Sequence, residues 1–270
     1  MLDANNLTVE GEKFTQELTR LLGKELSAEE WNRLYVLGLG TVRTELYGLA
    51  QYFATEADRC YKVGTYFPAC LMTASAIESL LAVLCLTKEQ EVSALPVFRK
   101  FRGKGNFQDR VLTADFQNYV DVADQLNLVP SEAVATEIFQ AAIQDFPLVA
   151  ANLFPDLSKS AIAEKLEAFK SSPGIEMLRI LQHMRNLVHG TRWSRLRLKL
   201  NPKTFEDDCK FVLVIATQVF FCLAETFIRI ATAGIANVSA LKEELSDAAW
   251  SNVLAQVEAF LQVKSVDDQT

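Results

Sequence analysis

Apolar positions along this chain recur at three- and four-residue spacing or merge into long runs, which is the pattern of helices. Thr8 to Leu22 is amphipathic and is expected to stop at Gly23. Ser27 and Glu30 have the spacing of a capping box and open a long helix towards Thr55 or beyond, with Gly38 and Gly40 inside it. A nearly unbroken apolar run predicts a buried helix from Tyr66 to Leu86, with Pro68 tolerated in its first turn. After a loop near Pro96 comes a basic, glycine-containing stretch from Arg99 to Phe107, expected to be an exposed connection. Helices then follow at Thr113–Leu126, from Pro130-Ser131 to Asp145, and from Ser160 to Phe169, with an irregular stretch at 146–158 and a break at Pro173-Gly174. The next runs from Ile175 to His189 and stops at Gly190. Thr204 with Asp207 caps a long apolar helix that Gly234 should end, and a last helix covers Asp247 to Val263.

This succession predicts an all-α protein: a helical bundle at 58–233 with an inserted stretch at 131–169, preceded by N-terminal helices at 1–57 and followed by a C-terminal helix and tail at 234–270. Composition agrees. Of 270 residues 50% are apolar, with only 11 Gly and 7 Pro. The two most apolar segments, 66–86 and 211–236, contain Glu78 and Gln218, Glu225 and Arg229 respectively, so they read as central bundle helices and not as membrane spans. The N-terminus lacks a basic region followed by an apolar one, so no signal peptide is expected. Cys60, Cys70, Cys85, Cys209 and Cys222 form no Cys-x-x-Cys pair and read as reduced core thiols of a cytoplasmic protein with no structural zinc. Gly38-Leu39-Gly40 lacks the third glycine and preceding strand of a dinucleotide site.

Charge singles out one region. The chain carries −7 overall, yet residues 177–205 hold seven Lys or Arg and no acid. Both histidines, His183 and His189, lie there. On a helical wheel Met177, Leu181, Met184 and Val188 form an apolar stripe widened by Ile180 and Leu187. Arg185 and His189 lie one turn apart on its flank, near Gln182, whereas His183, Arg179 and Asn186 fall on the far side. An Arg fork matches a phosphate, and a His can move a proton at neutral pH, so the pair suits metal-free cleavage of RNA. The structural alternative is a His that caps carbonyls and an Arg that snorkels or pairs with a carboxylate.

Glu78 is the one Asp, Glu, Lys or Arg between Lys62 and Lys88, on a helix expected to be buried, so it needs a partner, and Arg185 is the expected one. Such a pair would either fix helix register or orient Arg185 towards phosphate. Arg192, Trp193, Arg195, Arg197 and Lys199 follow the helix and suit single-stranded RNA through phosphate contact and stacking. The Arg99–Arg110 stretch, with five basic residues and one acid, extends that surface or is simply a solvated loop. The alternation from Trp193 to Leu200 also fits a short strand or hairpin arm.

The string Met184-Arg185-Asn186-Leu187-Val188-His189-Gly190 resembles the signature helix of the HEPN superfamily of all-helical domains. Tyr61–Phe67 with Ala76-Ile77-Glu78-Ser79-Leu80-Leu81 resembles the family's earlier core helix, Phe116 to Pro130 the helix before the signature, and the apolar helix after Thr204 the one closing the bundle. The similarity spans roughly 58–233, interrupted from Ser131 to Phe169. The resemblance implies a metal-independent ribonuclease of toxin or defence type, working as a homodimer with two motifs across a cleft. Arg185, Asn186 and His189 would be catalytic, Glu78 and Gln182 supporting, with no cofactor and a neutralising or regulatory protein partner. Here three residues separate Arg from His, where the family has four to six. Other members are non-catalytic modules that bind RNA, a nucleotide or a protein, and that reading stays open beside the first.

Overall fold

The computed structural model describes residues 15, 16, 18–27, 30, 40–134, 172–186, 202–244 and 246–262, and every regular element among them is helical. In chain order these are α1 (Thr41–Lys62), α2 (Tyr66–Thr87), α3 (Glu89–Ala94), α4 (Phe107–Leu112), α5 (Phe116–Gln125), α6 (Pro173–Asn186), α7 (Pro202–Glu244) and α8 (Asp247–Gln262), with 3₁₀ turns at Pro96–Lys100 and Ser131–Ala133. The chain divides into two compact units, one containing Leu46–Ala224 and one made of Ala4–Glu45 and Glu225–Thr270.

The first unit is organised by α2. Its Ala- and Leu-rich sequence favours helix, and it has no polar face. Ile77, Leu80, Leu81 and Leu84 are fully buried, and each such side chain contributes ~1.5–3 kcal/mol. The hydroxyls of Thr73, Ser75, Ser79 and Thr87 donate to the carbonyl one turn back, at 2.8–3.1 Å, and so need no partner from outside the helix. Helices α5 and α6 each pack on α2 and on one another, and α7 adds Val212, Ile215, Val219 and Leu223 to the core of this unit. The stripe expected on α6 is the buried one: Met177, Ile180, Leu181 and Met184 are all inside. Val188 and Leu187 lie outside the described residues.

Local chemistry sets the ends of these helices. Asn106 Oδ1 accepts from Asp109 N–H at 2.9 Å while Asp109 Oδ2 accepts from Asn106 N–H at 3.3 Å, a reciprocal cap on α4. Asn127 takes φ +48° after α5, a conformation Asn tolerates, and Leu128 N–H donates to Ala123 O at 2.9 Å, closing the helix end. In the second unit Leu18, Leu21 and Trp250 form a small core flanked by Leu22, Leu26, Val253 and Leu254. Gly23 stops the first of these segments at φ +70°, as expected. The Ser27–Glu30 capping box forms at 2.8 and 3.2 Å, and with Lys24 at 2.8 Å it holds the Glu30 carboxyl down at about 2.

Several expectations need correction. A continuous helix from Ser27 to Thr55 does not form: Gly40 takes φ +79° and α1 starts at Thr41. The Arg99–Phe107 stretch is not a simple exposed connection: Phe101 is buried within it and Phe98 just before it. Ser131–Ala133 is a 3₁₀ turn where the opening of an α-helix was expected, and the rest of that segment, with Ser160 to Phe169, lies outside the described residues. Helix α7 begins at Pro202, whose fixed φ suits a first helical position, so Thr204 sits inside the first turn and not at the cap. It also continues through Gly234 to Glu244, since one glycine in a long helix costs only about 1 kcal/mol.

Pro173-Gly174 forms the first turn of α6, two residues before the expected start at Ile175, and the helix expected ahead of it lies outside the described residues. A Cβ on Gly174 would overlap Cγ1 of Val129 and lie 3.6 Å from Val219 Cγ2. The glycine therefore lets the first turn of α6 seat against the segment that follows α5. Gly174→Ala should lower unfolding stability by about 1–3 kcal/mol through overpacking, read from urea denaturation midpoints. An unchanged midpoint would mean that Val129 can move aside.

Candidate functional site

Helices α2, α5 and α6 bring Glu78, Phe116 and Arg185 together. Glu78 lies midway along α2, one turn before Leu81 and Ala82, on the side that meets α6. Arg185 lies on α6 beside Asn186, the last described residue of that helix. Its Nη1 donates to Glu78 Oε1 at 2.7 Å, which is the partnership expected of an otherwise isolated carboxylate in an apolar helix. The guanidinium carbon stands 5.9 Å from the centre of the Phe116 ring, at the outer limit of a cation–π contact. Phe116 is itself buried, so it acts as a wall beside Arg185.

The two partners differ in exposure. The Glu78 side chain is 21% exposed and that of Arg185 42%. Burial pushes the Glu78 carboxyl above its ordinary range, Arg185 pulls it back down, and Asp115 adds a smaller upward push. Desolvation outweighs the ion pair, so the carboxylate is held at a cost. Among the described residues Arg185 donates to Glu78 alone, which leaves part of its fork facing outward. Tyr119, one turn beyond Phe116, donates its hydroxyl to Val111 O at 2.6 Å. Burial, then Cys85 and Glu78, raise its ionisation above the normal phenol range.

A second ionic contact on α6 was not anticipated. The wheel put Arg179 on the outer polar face, but it is half-buried, donates to Glu176 one turn back, and reaches Asp124 of α5 at 3.1 Å. Glu176 is buried, and its position four residues after Ser172 and three before Arg179 was the one signal that could have found it. Gln182 and Asn186 are half-buried. His183 lies on α6, but its side chain is outside the described ones. His189, Arg192, Trp193, Arg195, Arg197 and Lys199 are outside the described residues altogether, as is the segment considered for a strand.

Three of the cysteines, Cys70, Cys85 and Cys209, are buried free thiols, and Cys60 and Cys222 are half-buried. Cys70 Sγ donates to Cys209 O at 3.4 Å, and burial pushes the Cys85 thiol up to about 12. Among the described residues no group of three His, Cys, Asp or Glu is placed to hold a metal ion. Tyr66–Thr87 and Phe205–Ile230 are long and apolar enough to cross a membrane, and 78% and 56% of their most apolar windows are buried inside the protein. No protein-family model, curated protein or solved structure matches this chain.

The raised Glu78 carboxyl has a defined pH signature. A carboxyl that holds its proton more tightly when folded contributes stability below its unfolded value of about 4.5, and loses it as pH rises through the folded value. Glu78→Gln removes this loss, so the variant should gain on the wild type between pH 4 and pH 7 in thermal midpoint. A variant that instead falls behind as pH rises would show that Arg185 wins over burial. Arg185→Met leaves the carboxylate without its cation and should cost about 1–2 kcal/mol at pH 7, less than for a fully buried pair because Arg185 is 42% exposed. Chemical denaturation of the single and double variants measures the coupling.

Proposed function

We propose that this chain is a HEPN-like, RNA-acting protein in which Arg185, Asn186 and His189 handle a phosphodiester and Glu78 orients Arg185. The observation that carries the reading is the Glu78–Arg185 contact at 2.7 Å, joining two core helices while the guanidinium stays 42% exposed. That exposure leaves part of the guanidinium open to solvent, where a ligand can reach it. A phosphate-binding one needs a fixed fork with donors left over. Catalysis would be metal-independent: His189 moves a proton to or from the 2′-hydroxyl or the leaving oxygen, and Arg185 stabilises charge on the phosphorus oxygens. The basic segment Arg192, Trp193, Arg195, Arg197 and Lys199 would hold the RNA strand. The same reading brings a homodimer, a cytoplasmic location, toxin or defence activity and a neutralising or regulatory protein partner. It takes the two apolar helices as bundle helices.

A second reading is a non-catalytic module that binds RNA, a nucleotide or a protein. Two observations favour it. Only three residues separate Arg185 from His189, and the Arg185 charge is already partly met by Glu78.

Incubation of the purified protein with total RNA in EDTA separates the two. The first predicts cleavage leaving 2′,3′-cyclic phosphate ends, with Arg185→Ala and His189→Ala each at least about 100-fold slower while folded. Salt-sensitive RNA binding by a folded wild type that cuts nothing selects the second.

A further inference from the structure

The turn from Pro96 to Phe107 carries an exposed cluster of charge on a backbone that is held in place. Arg99, Lys100, Arg102 and Lys104 are all exposed, and among the described residues none of them forms an ion pair. The nearest acid in sequence, Asp109, is engaged in the cap of α4. Repulsion among four cations within six residues would ordinarily spread such a loop. Here the backbone underneath resists that. Phe98 and Phe101 stack at 5.1 Å between ring centres, Phe98 and Phe107 at 5.2 Å, and Phe101 meets Tyr119 of α5 edge-on at 6.5 Å. Arg110, the fifth cation, turns inward: its guanidinium lies 4.0 Å from the centre of the Phe98 ring and donates to Phe98 O at 2.7 Å.

Two glycines tighten the turn. A Cβ on Gly103 would overlap Thr113 Oγ1 and lie 2.8 Å from Arg110 Cα, so the backbone there is pressed against α4. Gly105 takes φ +123°, open only to glycine, and a Cβ there would stand 2.5 Å from Asp109 Oδ2. The structure therefore presents four solvated cations whose Cα atoms span at most about 18 Å, on a frame already ordered. Little entropy remains to be lost when they meet a charged partner.

We propose that the Arg99–Lys104 turn is a preformed site for the phosphodiester backbone of a single-stranded nucleic acid. The evenly charged, short turn tracks a chain of phosphates, and Phe107 beside it is half-buried against Phe98, an aromatic at the edge of the charged turn. The remainder of the protein is strongly acidic, so binding is confined to the places where this charge is gathered. The site stands whether or not Arg185 cleaves RNA.

Fluorescence anisotropy with labelled dT20 tests it, because DNA lacks the 2′-hydroxyl and is not consumed by the cleavage proposed above. U20 and vesicles with one-third anionic lipid form the other arms. Wild-type affinity for dT20 should fall roughly 50-fold between 50 and 200 mM salt if four phosphates are engaged. The variant R99Q/K100Q/R102Q/K104Q should bind dT20 and U20 at least tenfold more weakly at 50 mM salt, with a flatter salt slope. Its circular dichroism and thermal midpoint should be unchanged, since the four side chains are solvated. Equal binding by variant and wild type overturns the proposal, as does binding to vesicles in place of either oligonucleotide. RNA cleavage that survives the four substitutions, with oligonucleotide binding unaltered, ends this site and leaves the Arg185 reading intact. Loss of dT20 binding in the variant of a protein that never cuts RNA does the reverse.

Discussion

The first unit depends on a helix that has nowhere to face water. Helix α2 is apolar around its whole circumference, so it can exist only when other helices cover it. The packing of α5 and α6 on α2 and on each other answers that demand. The hydroxyls along α2 turn inward to their own backbone, which frees neighbouring helices from having to supply polar partners. Glu78 is the exception, because a carboxylate has no comparable refuge within its own helix. The need to satisfy it determines which face of α6 arrives, and at which turn.

Two ionic contacts then hold α6. Arg185 at its C-terminal end meets α2, and Arg179 nearer its start meets α5 through Asp124. They lie on different sides of the helix, so rotation about its axis that kept one would lose the other. Neither is a strong source of net stability by itself, since burial works against Glu78 and Arg179 stays half-exposed. Their joint effect is specificity of register. Hydrophobic packing alone tolerates small rotations of α6, but two oriented charges do not. If Arg185 handles phosphate, as proposed, that fixed register is also what aims it.

Much of this was legible in the sequence, and the failures have physical causes. The long apolar run announced α2, and the three- and four-residue stripe gave the buried face of α6. An isolated Glu in such a run demanded a cation, which pointed to Arg185, 107 positions further along the chain. The errors cluster where one residue type has two uses. Gly40 stands ahead of α1 and Gly234 inside α7, and spacing cannot tell a glycine that adopts φ +79° from one that stays helical. Helix α6 starts at Pro173, two residues earlier than expected, because proline favours a first turn and Gly174 seats against Val129, far away in the chain. The Arg99–Phe107 stretch looked solvated because its charges dominate the composition, while the burial of Phe98 and Phe101 depends on rings from α4 and α5. Arg179 was misplaced because a wheel shows one helix and not the neighbour that reaches round to it.

The separation of α2 from α6 along the chain also governs how the molecule is made. When α2 leaves the ribosome its main cover is roughly 100 residues from synthesis, a delay of about 5–20 s at usual elongation rates. Among the described residues, α1, α5 and the short elements between them are what can shelter this apolar helix through that interval. Its handling by chaperones during translation, and the codon pace across residues 126–186, therefore bear on yield alongside the stability of the finished fold.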